Sequence, residues 1–190
     1  DLSDYTLIYS ETDVGIKLIG DNTISSTGTG TWSDPYGISA SNIEITEDST
    51  GKLTLSGVAY GVEAFKNVKI HAGTIEIKDA YGGIYARSSV WLDGGCLELD
   101  AEAFGLFASN ENVVILDGMV NIKSNGYGIY GCEDTDDYYG VDIQGGKVVV
   151  ESNENAIESV STISITGGSV DAKSTNTEKD STYCSLYAPY

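Results

Sequence analysis

The sequence predicts an all-β chain built as a stack of parallel coils, a β-solenoid with about seven coils. Two observations lead there. Short apolar alternations with a period of two recur throughout the chain, and each such run reads as a strand with one buried face. The alternations also repeat. Taking Gly83 as a marker, its counterparts are Gly37, Gly61, Gly105, Gly128, Ala156 and Ser185, at successive steps of 24, 22, 22, 23, 28 and 29 residues. A period of this size signals repeat architecture.

Residues 81–100, YGGIYARSSVWLDGGCLELD, show the unit. Three strands are expected in it, with Ile84/Ala86, Val90/Leu92 and Leu97/Leu99 facing inward. The other repeats fill the same columns. The first reads Ile38, Val62, Ile84, Leu106, Ile129, Ile157, Leu186. The second reads Ile43, Val68, Val90, Val113, Val141, Ile163, and the third Leu53, Ile75, Leu97, Val120, Val148, Val170. A single coil cannot bury such residues, whereas stacked coils join them into ladders.

In chain order, residues 1–35 read as a degenerate first coil that caps the core. Within them, Leu7-Ile8-Tyr9-Ser10 echoes Gly83-Ile84-Tyr85-Ala86, and residues 25–34 are a Gly/Thr loop expected to project from the stack. Residues 36–174 are the repeats. Residues 175–190 are a polar loop and the start of a last coil, either a final capping strand over residues 183–190 or, the favoured reading, a chain cut from a longer one with an end open to self-association.

The composition narrows the function. A net charge of −19 excludes nucleic acid as a partner, because nothing here neutralises phosphate. No apolar run reaches membrane-spanning length. The three cysteines, Cys96, Cys132 and Cys184, have no metal-ligand spacing and read as free thiols. One histidine, His71, and one arginine, Arg87, leave no complete catalytic constellation, so a non-catalytic role is expected.

The outward positions carry the candidate sites. On the first strand they read Ser39, Glu63, Tyr85, Phe107, Tyr130, Glu158. A second aromatic column, Tyr36, Tyr60, Phe104 and Tyr127, precedes the marker, and Trp91 and Val114 face outward on the next strand. Two readings stand. The rings form a stiffening ladder, or Tyr85, Phe107 and Tyr130 make a flat strip for a neutral glycan, with Trp91 nearby and Glu63 and Glu158 accepting sugar hydroxyls. The acidic insertion holds Glu133, Asp134, Asp136 and Asp137, the oxygen ligands that Ca²⁺ takes, or else is a solvated loop. After the third strand the residues Lys78, Asp100, Lys123, Glu151 and Lys173 alternate in sign from repeat to repeat.

The stretches Gly126-Tyr127-Gly128-Ile129-Tyr130-Gly131 and Val141-Asp142-Ile143-Gln144-Gly145-Gly146-Lys147-Val148 resemble the coil motif of the right-handed parallel β-helix superfamily that includes pectate lyases. They are most similar to the β-helix repeats of secreted bacterial surface proteins. The resemblance implies a secreted or surface-displayed stalk, adhesin or carbohydrate-binding module of a bacterium, with a neutral glycan or a host or cell-surface component as partner. A polysaccharide-acting enzyme, lyase or glycoside hydrolase, is the alternative it implies. The basic residues that lyases use on anionic polymers have no counterparts here.

Overall fold

The computed structural model describes residues 6–131, 140–177 and 182–188. All regular structure in them is β. The chain opens with β1 (Thr6–Tyr9), β2 (Val14–Ile16) and β3 (Asp21–Ser25), then β4 (Tyr36–Ala40) and β5 (Ile43–Ile45). Three long strands follow, β6 (Lys52–Ala64), β8 (Thr74–Ala86) and β10 (Cys96–Ala108). They alternate with the short β7 (Val68–Ile70), β9 (Val90–Leu92) and β11 (Val113–Ile115). Next come β12 (Met119–Ser124), β13 (Tyr127–Gly131), β14 (Val141–Ile143) and β15 (Lys147–Ser152). The last are β16 (Ile157–Ser159), β17 (Ile163–Ile165), β18 (Ser169–Ser174) and β19 (Leu186–Tyr187). No helix among the described residues is long and apolar enough to cross a membrane.

Every strand pairs in parallel with its counterpart one repeat away. Ile38 pairs Val62, Val62 pairs Ile84, Ile84 pairs Leu106, Leu106 pairs Ile129 and Ile129 pairs Ile157. The run Val14, Ile43, Val68, Val90, Val113, Val141, Ile163 is in register in the same way. So is the run from Leu53 through Ile75, Leu97, Val120 and Val148 to Val170. From Ile38 to Ile157 these inward side chains are buried in one continuous core. At the C-terminal end the ladders reach solvent. Ile163 and Val170 are half-buried, and Leu186 is exposed.

The expected right-handed β-helix of the pectate-lyase-like kind, a solenoid with three separate strands per coil, does not stand. The strands lie in two parallel sheets, one of 12 strands and one of 7. The reason is local. The third strand of one repeat runs into the first strand of the next with no turn between them, giving the 13-residue β6, β8 and β10. Positive φ at Gly57 (67°) and at its counterpart Asp79 (50°), and register shifts between Leu99 and Phe104, bend these strands but do not end them. Each long strand therefore has a third-strand half and a first-strand half on one sheet.

Glycine fixes the spacing where repeats touch. A Cβ at Gly83 would run into the carbonyl oxygen of Gly105, and one at Gly105 would meet Gly128 in the same way. At Gly37, Gly83, Gly105 and Gly128 the marker column is glycine because the backbone of the next repeat lies against it there.

The loop of residues 26–34 does not project as expected. It lies back over the bend of the 12-stranded sheet. The Ser26 hydroxyl donates to the Gly57 carbonyl, Gly30 is buried against the Asp79–Ala80 backbone, and the Pro35 carbonyl accepts from the Ala59 N–H at 2.9 Å.

Candidate functional site

The aromatic residues gather on the first-strand half of the 12-stranded sheet. The two sequence columns merge there into one cluster. In a regular strand, residues three apart point to opposite faces. Here the Phe104 and Phe107 ring centroids lie 5.3 Å apart, and those of Tyr127 and Tyr130 5.5 Å apart, across the start of the first-strand segment. Tyr60 ties the columns together, lying 5.3 Å from both Tyr36 and Phe104, 6.2 Å from Tyr81 and 5.7 Å from Tyr85.

The geometry decides how ring faces are used. Phe107 and Tyr130 stack at 4.6 Å with planes only 7° apart, and Tyr85 stacks on Phe107 at 5.6 Å and 29°. That spacing is the distance between paired parallel strands, ~4.8 Å. Phe107 is therefore sandwiched between Tyr85 and Tyr130, and all three are half-buried. What forms is a half-buried ridge, with the Tyr85 hydroxyl donating to Ser109 Oγ at 3.3 Å. Burial pushes the Tyr60 phenol up to about 12, helped by neighbouring tyrosines and Glu63. Tyr127 also reaches about 12, through burial and then Glu154 and Glu158. Tyr36 is raised by burial and Glu63.

The acidic ends of the ridge differ. Glu63 is buried, and its carboxylate accepts from Ser39 Oγ at 2.9 Å. Glu158, paired in register with Tyr130, is only partly covered and accepts from Asn155 Nδ2 at 2.8 Å. Trp91 is exposed, but it lies on the seven-stranded sheet between Lys69 and Val114 in register. The structure thus brings Tyr85, Phe107, Tyr130 and Glu158 together, encloses Glu63, and leaves Trp91 elsewhere. Val114, expected to face outward, is buried. Glu133, Asp134, Asp136 and Asp137, and Cys132 beside them, lie outside the described residues. Among the described residues no group of three or more His, Cys, Asp or Glu is placed to hold a metal. Cys96 and Cys184 are free, and burial raises the Cys96 thiol.

The third-strand half of the same sheet carries a shallow groove of about 540 Å³, floored by Ile77, Leu99 and Ile122 and edged by Glu76, Glu98 and Asn121. The alternating column is in register, with Asp100 opposite Lys123, Lys123 opposite Glu151 and Glu151 opposite Lys173. Among the described residues these side chains form no ion pair within 4 Å. Lys52 and Glu76, on the paired strands β6 and β8, do so at 3.2 Å.

The residues with catalytic potential are engaged in structure. His71 Nδ1 lies 2.7 Å from Asp93 Oδ1, and its Nε2 lies 3.4 Å from Glu44 Oε1. The Arg87 guanidinium sits over the Phe65 ring at 5.1 Å. The feature that sequence reasoning passed over is Trp32, in the loop of residues 26–34. The signal was a lone tryptophan amid Gly, Thr and Ser.

No curated protein and no solved structure matches this chain. A protein family does match, described as carbohydrate-binding domain-containing protein, over residues 7–186. That match replaces the resemblance to pectate-lyase-like proteins, and it spans both sheets and the aromatic ridge. The chain belongs to the carbohydrate-binding domain-containing protein family.

Proposed function

We propose that the chain is a non-catalytic carbohydrate-binding module of a secreted or surface-displayed bacterial protein, and that its ligand is a neutral glycan. The family match over residues 7–186 carries this reading. The ridge of Tyr85, Phe107 and Tyr130 supports it by offering apolar ring edges and phenol groups beside the partly covered carboxylate of Glu158. The charge of −19 favours neutral over anionic sugars. The non-catalytic part rests on His71 and Arg87, the residues most suited to acid–base or anion chemistry, being held in contacts with Asp93 and with the Phe65 ring. The exposed apolar residues Ile165 and Leu186 support self-association at the C-terminal end.

A glycan array probed with the whole chain tests this function. Saturable binding to neutral polysaccharides, weaker on uronate-rich ones, is expected. Binding to none of them overturns it. A second reading has its own observation. The 7° stacking of Phe107 on Tyr130 favours an internal stiffening ladder over a sugar platform.

A further inference from the structure

Trp32 is the most exposed large apolar side chain among the described residues, at 75%. It has no ring or hydrogen-bond partner there. A side chain of this kind on a floppy loop would mean little, but this loop is pinned at several points. Ser26 Oγ donates to the Gly57 carbonyl and accepts from the Gly28 N–H at 2.9 Å. Gly30, at φ 80°, lies so close to the next strand that a Cβ would be 2.8 Å from Asp79 C and 2.9 Å from Ala80 N. Asp34 accepts from the Thr29 N–H at 3.1 Å, the Thr31 N–H at 2.7 Å and Thr31 Oγ1 at 3.0 Å. The Asp34 N–H in turn donates to the Thr31 carbonyl at 3.0 Å, closing a four-residue turn. Trp32 occupies the second position of that turn, where no neighbour covers it.

The placement matters as much as the exposure. The loop rests on Asp79–Ala80 and on Ala59, one residue before Tyr81 and Tyr60 of the aromatic cluster. Beside it is a small polar recess of about 130 Å³, lined by Thr29, Asp79, Asp100 and Glu102 among others. Phe107 in the ridge is stacked on both sides, whereas Trp32 is three-quarters exposed and has no ring partner among the described residues. An exposed indole on the same short loop as Thr29, which lines a recess with three carboxylates, suits a pyranose ring, which has an apolar face and a hydroxyl rim.

We propose that the loop of residues 26–34 is a sugar-binding finger. Its Trp32 stacks on a pyranose ring of a neutral glycan, and Thr29, Asp79, Asp100 and Glu102 take hydroxyl groups of the same chain. Asp34 and Gly30 are positioning residues that hold the finger in place. This rests on the carbohydrate-binding reading above and names a site for it.

The test uses cellohexaose, xylohexaose and mannohexaose with the whole chain. Wild-type affinity is measured by calorimetry. The Trp91→Phe variant leaves Trp32 as the only tryptophan, so its emission reports this site alone. The expected result is a blue shift or quench of Trp32 emission that saturates with the calorimetric binding. Trp32→Ala should weaken binding by about tenfold or more, while Trp91→Phe changes it less than about twofold. Trp32→Phe should recover part of the loss, and the melting temperature of Trp32→Ala should stay at the wild-type value. If wild type binds an oligosaccharide but Trp32→Ala binds as well and Trp32 emission does not move, the finger is wrong and the carbohydrate-binding reading survives. If wild type binds none of the three and the array is blank, both fall.

Discussion

Two aromatic regions of this chain use ring faces in opposite ways. In the ridge, Tyr85, Phe107 and Tyr130 cover one another, one ring per repeat, because the repeats are spaced by a stacking distance. In the loop of residues 26–34 a single ring stands three-quarters exposed with no ring partner among the described residues. Face-to-face contact across parallel strands stabilises the stack and removes the surface that a sugar would use. A pinned turn gives up that stabilisation and keeps the surface. Counting aromatic residues therefore does not locate a sugar site, whereas asking which faces remain open does.

The sharpest way to break this comparison is Phe107→Ala. The ring is half-buried and stacked on both sides, so its loss should cost about 2 kcal/mol, seen as a fall in melting temperature of several degrees. An unchanged melting temperature would mean that the ridge is a surface platform after all. Gly30→Val should come next. Its side chain meets backbone at under 3 Å and sits at positive φ, so the loop must lift, with a loss of about 1–2 kcal/mol and a change in Trp32 emission. If emission and stability both hold, the loop is not pinned at that point.

Alkaline titration sharpens the ridge side. Tyr60 and Tyr127 stay protonated in the folded chain up to about 12, while unfolded tyrosine ionises at 10.0. Their folded pKa is raised, so the stability they add is complete below pH 10 and is lost as the pH climbs towards 12. Phenolate absorbance should show Tyr60 and Tyr127 titrating late, with Tyr36 also above 10, and the melting temperature should drop in that window. Titration of every tyrosine near 10 would mean that the cluster is open to water.

The smallest effects belong to the loop. Trp32→Ala should change stability by less than about 0.5 kcal/mol, the value usual for an exposed site. Asp34 has its carboxyl held below 3.8 by the Thr31 N–H and then by Thr31 and Thr29 donors. A depressed pKa gives stability that is present above the unfolded value and is lost as pH falls through the folded one. Trp32 emission should therefore be constant above pH 4 and shift only at lower pH. A shift near neutral pH would point to a different anchor.

The repeat columns were legible residue by residue, because a period of two superimposed on a period of about 22 leaves little freedom in placing Ile84 against Leu106. The division into sheets was not. The Gly57-Val58-Ala59 junction carries no charged or proline breaker, so nothing in the text told a sharp corner from a bent continuous strand. The outward positions were legible as positions only. Glu63 and Tyr85 share a column, yet Glu63 is enclosed with Ser39 while Tyr85 is half-open, a difference set by neighbours on adjoining strands. Ile163, Val170 and Leu186 keep the register of their ladders but are less covered than their counterparts in earlier repeats, a difference that periodicity does not carry. Trp32 was hidden for the opposite reason. Its loop has no periodicity, and only the three-dimensional anchors at Gly30 and Asp34 give its exposure meaning.

The column of backbone contacts through Gly83 and Gly105 makes the chain a ruler graduated in repeats, not residues. The step from Gly61 to Gly83 is 22 residues and that from Gly128 to Ala156 is 28, yet Val62 meets Ile84 and Ile129 meets Ile157 in the same register. Extra residues are absorbed between graduations without moving them. Segments spliced into the connections would thus be displayed at fixed intervals along the stack, whereas a side chain added at Gly83 or Gly105 would press on the carbonyl of the next repeat.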